Sequence, residues 1–284
     1  MTRGGRISAM TITTLKLTDF SSQALTAAIK GNLYTFFGSL GRSPHAQVFQ
    51  SDQLRRWHTG IAHPWFNGVL SLGAPTPAAD QLIVETLEYF RQRSVSAITW
   101  WLSPHLSKEG WEALLLGHGF QHEAGVPGMA LDLQGFTPPD APAPDGFQIS
   151  VVQDENTFRA WVGTFINGYG LPTEFEEPMY NIYLDLGFDL PLRYFLGTYH
   201  GKPVATSTLF LAEGVAGVYN IATLPEARRN GLGRAMSLQP LLEAQQLGYR
   251  IAILQSSEAG YNVYRKLGFQ HICQMEDYYW QEPA

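Results

Sequence analysis

One stretch of the chain brings glycines, arginines and a helix start together: Ile221-Ala-Thr-Leu-Pro-Glu-Ala-Arg-Arg-Asn-Gly-Leu-Gly-Arg234. Gly231 and Gly233 open a periodic apolar run over residues 232–247. Glycine there lets the backbone approach a ligand closely and adopt positive φ. The first amides of a helix have no partner within it, and that end attracts anions. Arg228, Arg229 and Arg234 add three positive charges within seven positions, a third of the nine basic residues in 145–284. These residue types suit the cradling of a pyrophosphate. The spacing is neither Gly-x4-Gly-Lys-Ser/Thr nor Gly-x-Gly-x-x-Gly, so neither a P-loop nor a dinucleotide fold is implied.

Several elements must hold that loop in place. A helix is predicted over 155–169 and strands over 194–199 and 203–211, joined by a tight turn at His200-Gly201-Lys202. A third strand over 215–223 is stopped by Pro225, and Gly248 suits the left-handed cap that ends the helix 232–247. Pro240 lies inside that helix, where proline costs about 3 kcal/mol and is expected to kink it. The apolar run 251–254 reads as a strand buried on both faces. Antiparallel strands followed by a strand–helix–strand crossover make this a mixed α/β fold.

The segment Phe136-Thr-Pro-Pro-Asp-Ala-Pro-Ala-Pro-Asp-Gly146 reads as a linker. It divides the chain into an expected first domain, 10–136, a linker, 137–146, and a second domain, 147–284. Residues 1–9 are expected to be a loose tail, with Met10 an equally good start. The halves echo one another: helix 78–93, strand 97–102 and a short helix ending in Gly119-Phe-Gln-His122 parallel helix 232–247, strand 251–254 and a short helix ending in Leu267-Gly-Phe-Gln-His271. That order points to a duplicated fold.

The second half resembles the GNAT N-acetyltransferase superfamily. Arg228-x-x-Gly231-x-Gly233 matches its Arg/Gln-x-x-Gly-x-Gly/Ala loop, and Tyr264-Arg-Lys-Leu-Gly-Phe269 its helix ending in Leu-Gly-Phe. The resemblance covers residues 147–284 well and the first half in outline. It implies two GNAT-like domains, each a mostly antiparallel twisted sheet with a crossover and flanking helices. It also implies acetyl-CoA as acyl donor and direct transfer to an amine, without a metal. Ile221, Ala222 and Thr223 would offer backbone groups to pantetheine. Arg228, Arg229, Asn230, Gly231, Leu232, Gly233 and Arg234 would hold the pyrophosphate. Tyr264 would protonate the departing thiolate, since a phenol with a reference pKa of ~10 can donate as charge develops on sulfur.

Two positions depart from the family's pattern. The family often carries Asn seven residues before the tyrosine, where this chain has Ser257, a candidate cofactor contact. Its frequent Glu base falls at Gly217. Tyr219, two residues on and on the same strand face, is a candidate for the acceptor pocket. From 160 to 192 there is no Lys, Arg or His, but Glu174, Glu176, Glu177, Asp185 and Asp189 occur. Glu174 and Glu177 are candidates for drawing in a cationic amine. The acceptor is expected to be a small-molecule amine. A non-catalytic acyl-CoA-binding module and an O-acyltransferase stay open as alternatives.

The first half lacks these parts. Leu72-Gly-Ala-Pro-Thr-Pro-Ala-Ala79 stands at its loop position without an arginine, and Leu115 stands where Tyr264 does. It reads as a degenerate copy. A net charge of −6 argues against nucleic-acid binding. One cysteine, Cys273, precludes an intramolecular disulfide and reads as core. No apolar segment suits a signal peptide or a membrane span, and a cytoplasmic protein is expected. His118 and His122 have i, i+4 spacing, but Gly119 separates them and no acidic partner is evident, so no metal site is expected. His63-Pro-Trp-Phe-Asn67 reads as a packed turn, with pocket lining the alternative.

Overall fold

The computed structural model describes residues 15–103, 108–139 and 143–282. The tail 1–9, Met10 and residues 140–142 of the linker lie outside them. The first half runs α1 (Ser22–Ser39), β1 (Gln47–Gln50), β2 (Leu54–His58), β3 (Gly68–Ser71), α2 (Ala79–Arg91), β4 (Ala97–Leu102), α3 (Lys108–Gly117), β5 (Gln121–His122) and β6 (Val126–Asp132). The second runs β7 (Phe147–Val151), α4 (Glu155–Tyr169), α5 (Glu176–Leu184), β8 (Leu192–Tyr199), β9 (Lys202–Ala212), β10 (Val215–Thr223), α6 (Leu232–Gln246), β11 (Ile251–Gln255), α7 (Glu258–Lys266) and β12 (Gln270–Gln281).

The twelve strands of the described residues join one sheet, ordered β1-β2-β3-β4-β12-β6-β11-β10-β9-β8-β7, with β5 pairing β12 at the side. Among the described residues only β3/β4 and β10/β11 are parallel, each bridged by a helical crossover, α2 or α6. The expected fold class is observed: mixed α+β, a mostly antiparallel sheet and flanking helices.

The halves interlock by exchanging their last strands. β6 pairs with β11, and residues 276–281 of β12 pair with β4. The shared tetrapeptide lies at the crossing. Gln121↔Tyr279 and His122↔Tyr278 in one half mirror Gln270↔Ala130 and His271↔Met129 in the other. Each half therefore completes the other's sheet.

Three apolar clusters follow from this. Ile83, Phe90, Trp100 and Trp111 fill the space beneath α2 and α3, and Met236, Leu241, Ile221 and Phe269 that beneath α6 and α7. The third joins the halves: α1 packs on β9, β10, β6 and β12, so a helix of the first half covers the sheet of the second. Pro240 is buried in α6 without ending it, and Gly248 takes the expected left-handed conformation (φ 76°). No helix among the described residues is long and apolar enough to cross a membrane.

A wedge between two parallel strands as the candidate active site

The site begins where β10 and β11 part. They pair at Ala216↔Ala252 and Gly217↔Ile253 and not beyond. A bulge between Tyr219 and Ala222 turns β10 away, with Asn220 at φ 53°. The Asn220 amide donates to Thr208 Oγ1 (3.2 Å), and its carbonyl accepts from Thr206 Oγ1 (2.8 Å). Bulges bend a strand and raise its twist. β11 stays with β6 through Gln255↔Gly128, so a wedge opens between 218–223 and the end of β11. Ile221, Ala222 and Thr223 form the departing wall.

The first half does not open. Thr99 and Ile253 are each the third residue of their strand, and Gly68↔Thr99 corresponds to Gly217↔Ile253. There the pairing continues through Val69↔Trp100 and Leu70↔Trp101. The indole of Trp100 donates to Ser71 Oγ (2.8 Å) and that of Trp111 to the Gly73 carbonyl (2.9 Å). Pro75 lies where a side chain at Gly110 would be, and Leu115 is core.

At the mouth of the wedge, residues 224–231 reverse the chain into α6. Pro225–Ala227 form a 3-10 turn, Arg229 and Gly231 take positive φ (64° and 77°), and no side chain caps the helix. A Cβ added at Gly231 would meet open space, and one at Gly233 only Thr223 Oγ1 at 3.7 Å. Arg228 turns inward: its Nε donates to the Thr223 carbonyl (3.0 Å) and its Nη2 to that of Gly168 (2.7 Å). Gly168 has no room for a side chain beside Ala222, so α4, β10 and the loop are clamped together. Arg229 and Asn230 are exposed and Arg234 half-buried.

Tyr264 is only 9% exposed, on α7. Ser257 caps that helix, its Oγ accepting from Gly260 N–H at 3.2 Å. A Cβ at Gly260 would approach Tyr264 Cε2 to 2.7 Å, so the glycine seats the ring. Burial pushes the Tyr264 hydroxyl above the usual phenol range, and the neighbouring Tyr169 adds to this. Tyr169, from the last turn of α4, donates from its hydroxyl to the Ile221 carbonyl (3.1 Å).

Asn32 of α1 fills the place of the missing carboxylate. A Cβ at Gly217 would run into Asn32 Oδ1. Asn32 is 0% exposed; its amide donates to the Ala212 and Phe210 carbonyls (3.0 and 3.4 Å), and its Oδ1 accepts from the Tyr219 hydroxyl (2.7 Å). Tyr219 also stacks on Phe36 of α1, with centroids 4.7 Å apart. Its side chain is bound into the interface between the halves.

The two candidate carboxylates lie elsewhere. Glu174 is exposed in the 3-10 turn Thr173–Phe175, and Glu177 pairs with Arg159 (2.6 Å) on an exposed face. Glu176, between them in sequence, instead lines a groove of about 570 Å³ with Thr164, Asn167, Leu224, Pro225 and Glu226.

One expectation is corrected. His118 and His122 do have acidic partners, Asp80 (2.9 Å) and Glu276 (2.7 Å), both supplied by elements distant in sequence. The two pairs are separate, and no group of three metal-ligating side chains occurs among the described residues. Cys273 is partly buried, which pushes its thiol up to about 11.

Sequence reasoning missed Asn32 and Tyr169, whereas the turn at His63-Pro-Trp-Phe-Asn67 forms as expected. A buried amide leaves no periodic signal. Tyr169 precedes the helix-ending Gly170 (φ 68°) and reads as an ordinary last-turn aromatic.

Residues 156–269 match the family model described as the Acetyltransferase (GNAT) family. A GCN5-related N-acetyltransferase from Kribbella flavida is similar in structure, with a TM-score of 0.62 at 17% identity over 94% of this chain and 97% of that one. A tandem GNAT protein from the clavulanic acid biosynthesis pathway shares the fold at 14% identity, TM-score 0.57, over 85% of each chain. So does a GCN5-related N-acetyltransferase from Sphaerobacter thermophilus, at 16% identity and TM-score 0.58 over 82% of each chain. No curated protein matches the chain in sequence. Residues 156–269, then, match the acetyltransferase (GNAT) family model, and the chain shares its fold with GCN5-related N-acetyltransferases.

Proposed function

We propose that the protein transfers an acetyl group from acetyl-CoA directly to a primary amine of a small molecule, with the coenzyme bound in the second half. The observation that carries this reading is the contrast between the two parallel pairs: β10 leaves β11 after Gly217, whereas β3 stays with β4.

The residues fit the coenzyme. Pantetheine is a chain of amides, and the wall at Ile221, Ala222 and Thr223, along which β11 does not pair, offers it backbone partners. The open space over Gly231 and Gly233, beside the uncapped start of α6, suits a pyrophosphate. Asn230 and Leu232 belong to the same turn. Arg229 and Arg234 supply charge, while Arg228 clamps the loop.

In the reaction, the amine nitrogen bonds to the thioester carbon and the C–S bond breaks. The electron pair stays on sulfur, and the Tyr264 hydroxyl gives its proton to the thiolate. Backbone N–H groups on the wedge wall stabilise the oxyanion. The proton lost by the amine leaves through water, because Asn32 occupies the place of a carboxylate at position 217. The two-unit division, 10–136 and 147–284 with a linker at 137–146, is supported by the mirrored pairings. The first unit has no coenzyme wedge of its own; it supports the second and shapes the acceptor side.

Gly217 favours a second reading, a binding module without turnover. Primary amines mixed with acetyl-CoA separate the two: stoichiometric release of free thiol and N-acetyl product supports transfer. Tight coenzyme binding with no release supports the module.

A further inference from the structure

The segment after β2 reaches across to the second half. Pro64–Phe66 form a 3-10 turn whose cap is His63; its Nδ1 accepts from Trp65 N–H at 3.2 Å. Asn67 holds the turn from within. It is 0% exposed, its Oδ1 accepts from Thr59 N–H (3.0 Å), and its amide donates to the Ile61 and His63 carbonyls (2.6 and 3.1 Å). Phe66 roots the turn against Phe175, and the His63 ring stands edge-on to Phe175 as well.

This framework holds Trp65 half in water, 51% exposed. Its indole meets the Tyr169 ring edge to face, with centroids 5.4 Å apart and planes at 89°. Tyr169 is itself 40% exposed, bonds the Ile221 carbonyl and neighbours Tyr264. A single ring therefore separates Trp65 from the wedge wall. An edge-to-face pair leaves ring surface free for a third ring.

We propose that Trp65, supplied by the first half, is a specificity-determining residue of the acceptor site, and that the acceptor is a primary amine carrying a flat aromatic body. The inference rests on the acyltransfer reading above. The amine nitrogen has to pass Tyr169 to reach the thioester, so what lies over Trp65 is the body of the acceptor and not its charged end. The first half, which lacks a wedge, thereby contributes to recognition.

The test compares phenylethylamine with n-butylamine on protein saturated with CoA, for wild type, Trp65→Ala and Trp65→Phe. Dissociation constants of the amines are read by ligand-observed NMR, and coenzyme affinity by calorimetry. Phenylethylamine binds at least about tenfold more tightly than butylamine to wild type, Trp65→Ala brings the ratio close to one, and Trp65→Phe keeps most of it. Coenzyme affinity is the same in all three. Coenzyme binding with no preference for the ring amine, with neither amine binding, or with a preference that survives Trp65→Ala overturns the inference and leaves the acyltransfer reading standing. Failure of wild type to bind coenzyme overturns both.

Discussion

The Tyr219 hydroxyl donates to Asn32 Oδ1 at 2.7 Å, across the boundary between the two halves. Asn32 is fully buried and uses its amide on β9 as well, while Tyr219 is partly buried. A buried polar group left unsatisfied costs about 1–3 kcal/mol. Asn32→Ala is therefore expected to destabilise the protein by about 2 kcal/mol and Tyr219→Phe by about 1 kcal/mol. The double variant should lose less than the sum, because each change orphans the other's partner. Urea denaturation of the three variants measures this; strict additivity would show that the bond carries no coupling.

The same pair forbids a simple repair. Gly217→Glu restores the residue type frequent in the family, but its side chain has no room beside Asn32. It is expected to cost about 3 kcal/mol or more through overpacking and a buried charge. No gain in acetyl transfer should follow. A folded Gly217→Glu protein with raised turnover would show that the position is open to a base.

Gly260 offers a test in which stability and activity separate from the ordinary helix rule. Alanine in place of a helical glycine usually gains about 1 kcal/mol. Here its Cβ would press on the Tyr264 ring. Gly260→Ala is expected to gain no stability and to lower kcat at least about tenfold, with the affinity for coenzyme little changed. A more stable, fully active variant would remove Gly260 from the seating of Tyr264.

Tyr264 also sets a pH expectation. Its hydroxyl is held above the ordinary phenol value of ~10 by burial and by Tyr169, so the protonated, donating form persists through neutral and alkaline pH. The kcat profile should show no decline from this group below about pH 10. Tyr264→Phe should lower kcat with little loss of coenzyme binding. Unchanged kcat on an accepted amine would take the residue out of the mechanism.

Much of the second half was legible because its signals are local. α4 and β10 lie at the expected 155–169 and 215–223, the strand stopped by Pro225, and the loop before α6 was visible in its glycines and arginines. The duplicated order of elements was legible too, from Gly-Phe-Gln-His. What escaped depends on contacts distant in sequence. The strand exchange pairs β6 with β11 and β12 with β4, and no local pattern records it. Arg228 reads as a phosphate ligand from spacing, yet its partners are carbonyls on β10 and α4. Glu177 reads as acceptor-facing from composition, yet Arg159 holds it on the outside.

The exchanged strand carries a pH-dependent element of stability. Asp277, on β12 opposite Trp101, has its carboxyl pushed up to about 6, mainly by burial, with Glu123 adding and His122 opposing. The fold therefore favours the protonated form. That contribution is complete below the usual carboxylate range and is lost as pH rises through 6. Asp277→Asn should match wild type in thermal midpoint near pH 4 and exceed it at pH 8. An equal difference at both pH values would contradict this account.

The central claim is that the wedge between β10 and β11 holds the coenzyme and that the closed β3/β4 pair does not. Titration calorimetry with acetyl-CoA tests it most directly, on wild type and on Arg229→Ala combined with Arg234→Ala. The account predicts one molecule bound per chain and an affinity at least about tenfold weaker in the double variant. Two molecules per chain, or an affinity that the double variant leaves intact, would contradict it.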